Sequence, residues 1–254
     1  MGVACTAAAA AAGPIVVLGA NGKTGRQCVL SALQRDERVV ATSRTGVLRE
    51  LDACAPPRCE ARVGDVTRLE TLRAVVSGAR GVIFAASQSK EGGSARAVDN
   101  QGLVNTARAC IDAGVQRLVV VSSGAVSRPD SSVYQFLNLF GNIMAEKIAG
   151  ENQVRALYAD AARSGGGVGY TIVRPGGLTE AAGRGAGAVE LGQGDAVSGR
   201  ISRADVAELS LAAVDSPSSR NATFECYYAD TAKPLQAVGL SNVLGLTSAE
   251  REGS

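Results

Sequence analysis

The stretch Gly19-Ala20-Asn21-Gly22-Lys23-Thr24-Gly25 constrains this chain more than any other. It follows the apolar run Ile15-Val16-Val17-Leu18 and opens a segment, 23–33, with helical character. Four apolar residues ending in glycine read as a buried parallel strand. Glycines spaced G-x-x-G-x-x-G at a strand-to-helix turn let the backbone turn tightly. They also let a pyrophosphate approach the helix start, where amide N–H groups have no intrahelical partner. Gly22-Lys23-Thr24 does not make a nucleoside-triphosphate loop, because that motif needs glycine at position 17, where valine stands.

The pattern then repeats. Strands are expected at 38–42, 61–63, 82–86, 118–121, 170–173 and 223–227. Helices are expected at 95–113, at 134–162 with a break at Gly141, and from Ser202 to about 214. Thr67-Arg68-Leu69-Glu70 has the form of a capping box ahead of Leu72, Val75 and Val76, and Gly78 closes that helix. Ser202 and Asp205 stand in the same relation. Alternating strands and helices predict an α/β fold. Its single doubly wound, mostly parallel sheet is covered by helices on both faces. One domain over 14–232 is expected, with an Ala-rich flexible tail at 1–13 and an extension at 233–254. The Gly-rich stretch 181–199 reads as loop with a short strand pair.

Composition narrows the chemistry. The 254 residues include no histidine, which removes Ser-His-Asp and Cys-His catalysis and every His-ligated metal site. A net charge of +2 is too small for a nucleic-acid binder. No segment suits a membrane crossing. The cysteines (Cys5, Cys28, Cys54, Cys59, Cys110, Cys226) match no zinc spacing. They read as six reduced thiols, with Cys54 and Cys59 as a pair that could bridge on oxidation. Lysines are scarce, only Lys23, Lys90, Lys147 and Lys233, so each position carries weight.

Ligands of parallel sheets sit beyond the strands' carboxyl ends. After the second strand come Ser43-Arg44, where an NAD pattern wants an acid. An arginine there suits a 2′-phosphate and so favours NADP, with Lys23 as a second cation. After the third strand Asp65 can accept from an adenine amino group, and Val66 can touch the ring. After the fourth, Ala85 and Ala86 are small enough for a cofactor to lie on the strand ends.

Gly19–Gly25, Gly64-Asp65, Val98-Asp99-Asn100-Gln101-Gly102, Gly114-Val115 before Leu118–Ser123, and Thr171–Gly177 together resemble an atypical short-chain dehydrogenase/reductase. Asn138-Leu139-Phe140-Gly141, Gly192-Gln193-Gly194-Asp195 and Ile201-Ser202-Arg203 look like the plastid members of that group in plants, algae and cyanobacteria. The likeness covers roughly 14–230. It implies a Rossmann fold and bound NADP(H), with Gly19, Asn21, Gly22, Lys23, Thr24, Gly25, Ser43, Arg44, Asp65, Val66, Ala85, Ala86, Lys147 and Pro175 around the cofactor.

That family's catalytic signature is Tyr-x-x-x-Lys with a hydroxyl after the fifth strand. Lys147 resembles the lysine, and Ser122 and Ser123 stand at the hydroxyl position. The tyrosine position is Ile143, which cannot transfer a proton. None of the five tyrosines has lysine four residues later, although Tyr134 is near enough in sequence to offer a hydroxyl from another direction.

The resemblance therefore implies an NADPH-dependent oxidoreductase without the tyrosine acid, acting on a small-molecule acceptor such as a flavin or quinone. The other reading is a non-catalytic NADP-binding scaffold, redox sensor or assembly partner of a plastid complex, peripheral to its membrane. The expected location is the chloroplast, in the stroma or at the thylakoid surface, with the cytoplasm as alternative.

Overall fold

The computed structural model describes residues 13–89 and 92–238. The expected tail and most of the 233–254 extension lie outside the described residues. The main sheet has eight strands in the order β3-β2-β1-β4-β5-β6-β11-β8. These are β1 (Ile15–Leu18), β2 (Val39–Ser43), β3 (Cys59–Val63), β4 (Gly81–Phe84), β5 (Arg117–Val121), β6 (Gly169–Pro175), β8 (Val189–Gly192) and β11 (Ala222–Tyr228). All neighbours pair in parallel except β8, which runs antiparallel to β11.

Side chains alternate across each strand, so the sheet feeds two cores. Val16, Leu18, Val82, Phe84, Leu118 and Val120 face one core. Helices α2 (Leu69–Val76), α3 (Leu103–Asp112) and α5 (Ile143–Arg163) cover it. Ile15, Val17, Ile83, Val119 and Val121 face the other, beneath α1 (Lys23–Gln34) and α6 (Arg203–Asp215). Both faces are thus apolar, which explains why the strands read as continuous hydrophobic runs.

Several expectations need correction. Helix α3 is preceded by a π-helical turn, Arg96–Gly102, rather than being regular from residue 95. The Thr67/Glu70 capping box does not form. Thr67 donates to Asp65 instead, through both its N–H and its hydroxyl, and Glu70 pairs with Arg68. The 134–162 helix is two helices, α4 (Ser132–Asn138) and α5, parted at Gly141 and Asn142, whose φ values are +75° and +58°. The stretch 181–199 contributes more than a local strand pair. Its β8 completes the main sheet. Its β9 (Val197–Ser198) pairs with β12 (Lys233–Pro234), while β7 (Gly177–Thr179) pairs with β10 (Arg200–Ser202). Cys54 and Cys59 form a disulfide, so the expectation of uniformly reduced thiols fails at that pair. Burial pushes the Cys28 and Cys226 thiols up to about 12 and raises that of Cys110, which keeps all three neutral and inert.

Ser202 caps α6 as expected, accepting from the Asp205 N–H at 3.1 Å. The reciprocal bond is replaced by a tertiary one. The Ser202 N–H donates to Tyr228 Oη, and that hydroxyl donates to Asp205 Oδ2 at 2.6 Å.

Candidate functional site

The glycine loop closes on itself where β1 meets α1. Gly19 has φ +85°, and a Cβ there would lie 2.9 Å from Ala86 backbone. A Cβ on Gly25 would lie 2.2 Å from the Gly19 carbonyl oxygen. Both contacts are with backbone, so neither position accepts a side chain. Gly22 is the exposed N-cap of α1, in extended conformation, with no side-chain cap and no acid in the first turn. Among the described residues, no side chain caps the first-turn amides of α1, including those of Lys23 and Thr24. This is the cradle a dinucleotide pyrophosphate needs.

The surrounding residues divide into those facing the cradle and those bracing it. Asn21 braces: it donates to the Val47 carbonyl at 2.9 Å and accepts from the Arg49 N–H at 2.8 Å. The Ser43 hydroxyl donates to the same carbonyl. Asn21 and Ser43 thus shape the 44–49 turn with their side chains. Arg44 stands exposed on that turn, with its guanidinium against Gly92. Lys23 pairs with Glu180 at 3.0 Å, beside Arg203 at the start of α6. The second cation expected next to Arg44 is engaged elsewhere. Asp65 spends one carboxylate oxygen on Thr67, and Val66 is buried against Gly102. Ala85 and Ala86 lie directly beside Gly19, with the Ala85 N–H bonded to Leu18.

Lys147 is 12% exposed and its ammonium lies 2.8 Å from Asp99, which is fully buried. The same carboxylate accepts from the Ser87 hydroxyl at 2.7 Å and the Gln88 N–H at 2.9 Å. Asp99 thus joins α5 to the end of β4. The sequence showed Asp99 only as part of a family-like run; nothing local marked it as the partner of Lys147.

The two serines separate. The Ser122 hydroxyl is buried and donates to Glu151 Oε1 at 2.5 Å. Glu151 in turn holds Arg174 and Arg155, and Arg174 reaches Glu225 and Asp195. Burial works against the Arg174 charge, but the three carboxylates hold its pKa above the ordinary value. Burial raises the Glu225 carboxyl despite Arg174. The Ser122 hydroxyl is thus engaged in a buried network with Glu151 and Arg174. Ser123 instead lines a cavity of about 280 Å³ with Pro175 and Gly176. Asp195 is fully buried beside Arg174. It accepts from Ala125 and Ser127 and folds the 192–195 turn back onto the end of β5.

Ile143 opens α5 one helical turn before Lys147 and packs in the small cluster of Ala125, Val126, Met144 and Leu235. Tyr134 does not replace the missing acid in the cavity. Helix α4 turns Val133, Phe136 and Leu137 toward the cavity, whereas Tyr134 lines a shallow surface cleft with Asn138 and Asn142. The phenol that does line the cavity is Tyr227. Burial, with Glu190 and Glu225 nearby, raises its pKa. Among the described residues no acidic or cysteine cluster could hold a metal, and no helix is long and apolar enough to cross a membrane.

The family model described as NAD(P)H-binding matches residues 19–217, which contain the cradle, Lys147 and most of the cavity. The chain belongs to this NAD(P)H-binding family. An uncharacterised chloroplastic protein of Arabidopsis thaliana is 31% identical over 173 residues, 65% of this chain. The match spans 59% of that relative's length. Among solved structures, a putative NAD-dependent epimerase/dehydratase of Bacillus halodurans is similar, with TM-score 0.68 and 23% identity over 88% of this chain and 97% of its own. An oxidoreductase of Lactococcus lactis matches with TM-score 0.69 and 19% identity over 94% and 97% of the two chains. A short-chain dehydrogenase/reductase of Veillonella parvula, solved in complex with NADP, gives TM-score 0.61 and 19% identity over 86% and 96%. At these identities the structural matches establish the Rossmann fold that the family shares.

Proposed function

We propose that this family member is an NADP(H)-dependent oxidoreductase that reduces a small-molecule acceptor without a tyrosine acid. The observation that carries the reading is continuity. The open α1 cradle, the Lys147–Asp99 pair and the Ser123-lined cavity lie along the carboxyl ends of β1, β4, β5 and β6. The bound nicotinamide would supply a hydride. The α1 amides would hold the pyrophosphate, Arg44 a 2′-phosphate, and Lys147 the nicotinamide ribose. Pro175 and Gly176 would wall the ring, and the Ser123 hydroxyl, which donates to the Gly124 carbonyl at 3.0 Å, would rotate to donate to the acceptor. With Ile143 in the tyrosine position, the proton accompanying the hydride comes from water. That suits acceptors such as flavins and quinones. The chloroplastic relative supports a plastid location.

Calorimetric titration with NADPH, followed by NADPH oxidation with flavins, quinones and aldehydes, tests this. Binding with turnover on one class supports it. Binding with no turnover on any acceptor favours the second reading, a non-catalytic NADP-binding partner of a plastid complex, which Ile143 supports. Absence of NADPH binding refutes both.

A further inference from the structure

The cavity has a charge pattern that hydride transfer does not require. Its volume of about 280 Å³ is close to the lower end of small-molecule sites, which run to roughly 300–1,000 Å³. Three arginines line it: Arg174, Arg200 and Arg203. Glu151, Glu225 and Asp195 hold Arg174. Glu180 pairs with Arg203 and is shared with Lys23. Arg200 is half-buried and has no carboxylate partner among the described residues. Its backbone is fixed by donation of its N–H to Thr231 Oγ1 at 2.8 Å, which holds β10 in place. The rest of the lining is largely apolar, with Val133, Phe136 and Leu137 from α4 and Leu178 from β7.

We propose that this cavity takes a compact apolar molecule bearing one carboxylate, with the carboxylate on Arg200 and the hydrocarbon body against α4 and Leu178. The inference rests on reading this cavity as the acceptor site. A guanidinium presents a planar fork that matches a carboxylate with two parallel hydrogen bonds. Apolar surroundings strengthen that pair. A half-buried cation with no internal partner is completed by an anion from outside. Arg200 is the lining arginine without a carboxylate of its own among the described residues, so one carboxylate completes it; a dianionic phosphate would bring a second negative charge toward Glu225.

The test uses 2-naphthoate and 2-naphthamide, which share a ring system and differ in charge. Each is titrated calorimetrically into the full chain, with and without saturating NADP+. The wild type is expected to bind the naphthoate roughly tenfold or more tightly than the amide, the worth of a charge-assisted pair. Arg200→Gln is expected to bring the two probes to near parity while leaving NADP+ affinity unchanged. Arg200→Lys should retain part of the preference. Equal binding of both probes to the wild type, or no binding of either, would overturn the proposal. So would a preference that survives in Arg200→Gln. If Arg200→Gln fails to fold, the wild-type comparison still decides. If NADP+ does not bind the wild type, the proposed function falls, and the carboxylate preference is read in the cofactor-free protein.

Discussion

Gly22→Asp separates what the glycine cradle does for the fold from what it does for the ligand. Gly22 is the N-cap of α1 with φ −76° and ψ 154°, a conformation any residue adopts. A Cβ there would meet the Gly19 carbonyl oxygen at 3.2 Å and the Ala85 carbonyl oxygen at 3.9 Å. The first contact is tight and requires the Gly19 carbonyl to give by a few tenths of an ångström. An aspartate at an N-cap gains a few tenths of a kcal/mol over glycine by accepting from a first-turn amide. Its charge at the positive end of the helix dipole adds about 0.3–1 kcal/mol. The net change in stability should therefore fall between zero and about +1 kcal/mol after the small steric cost.

Binding should move the other way. A carboxylate on the cap would take the amides meant for the pyrophosphate and stand about 5 Å from its charge. At an effective dielectric constant of ~20 each such charge pair costs about 3 kcal/mol. NADPH affinity should fall by about a hundredfold or more. Urea denaturation gives the first quantity and NADPH titration the second. NADPH affinity within a few-fold of wild type would refute the placement of the pyrophosphate at α1. A stability loss beyond about 2 kcal/mol would show that Gly22 is needed by the fold itself.

Three further outcomes follow from other parts of the structure. Arg44→Ala should lower the NADP+-over-NAD+ binding ratio by roughly tenfold or more, the loss expected for a charge-assisted contact; an unchanged ratio in paired titrations would remove Arg44 from the 2′-phosphate. Asp205 is buried, which works against its charge, yet bonds from Tyr228, Ser202 and the Arg184 and Gly185 amides hold its pKa below the ordinary value. A depressed folded pKa stabilises above the unfolded pKa and is lost as pH falls through the folded one. Asp205→Asn should therefore cost about 2 kcal/mol or more near neutrality. The gap in urea midpoints should narrow as pH drops from about 5 toward 2; a gap that stays constant would sink this account. Tyr158 is 2% exposed and its hydroxyl has no hydrogen-bond partner among the described residues. Tyr158→Phe should raise stability by about 1 kcal/mol, and a clear drop in melting temperature would mean that the hydroxyl has a partner, such as a bound water.

Local signals made part of this molecule legible from its sequence. The period of apolar residues placed β1, β2, β4, β5 and β6 within a residue or two, because strands buried on both faces are continuous apolar runs. Gly141 correctly marked the break between α4 and α5. Signals failed where a side chain had a distant partner. Thr67 looked like a helix cap but serves Asp65. The Gly-rich stretch 181–199 looked like loop, yet Asp195 fastens it to Ala125 and Ser127, about 70 residues away.

The sequence by itself determined that a dinucleotide cradle opens a doubly wound parallel sheet. It also determined that no tyrosine stands one helical turn before Lys147. Those facts depend on residues adjacent along the chain, where backbone sterics and helical periodicity act. Only the tertiary structure decided where the neighbouring serines point, since Ser122 turns to buried Glu151 and Ser123, whose hydroxyl donates to the Gly124 carbonyl, lines the cavity. It alone paired Lys147 with Asp99, drew Lys23 to Glu180 and left Arg200 without a carboxylate partner among the described residues. Charge partners are chosen by proximity in space and by the cost of burying an unpaired ion, and neither is written in the order of residues.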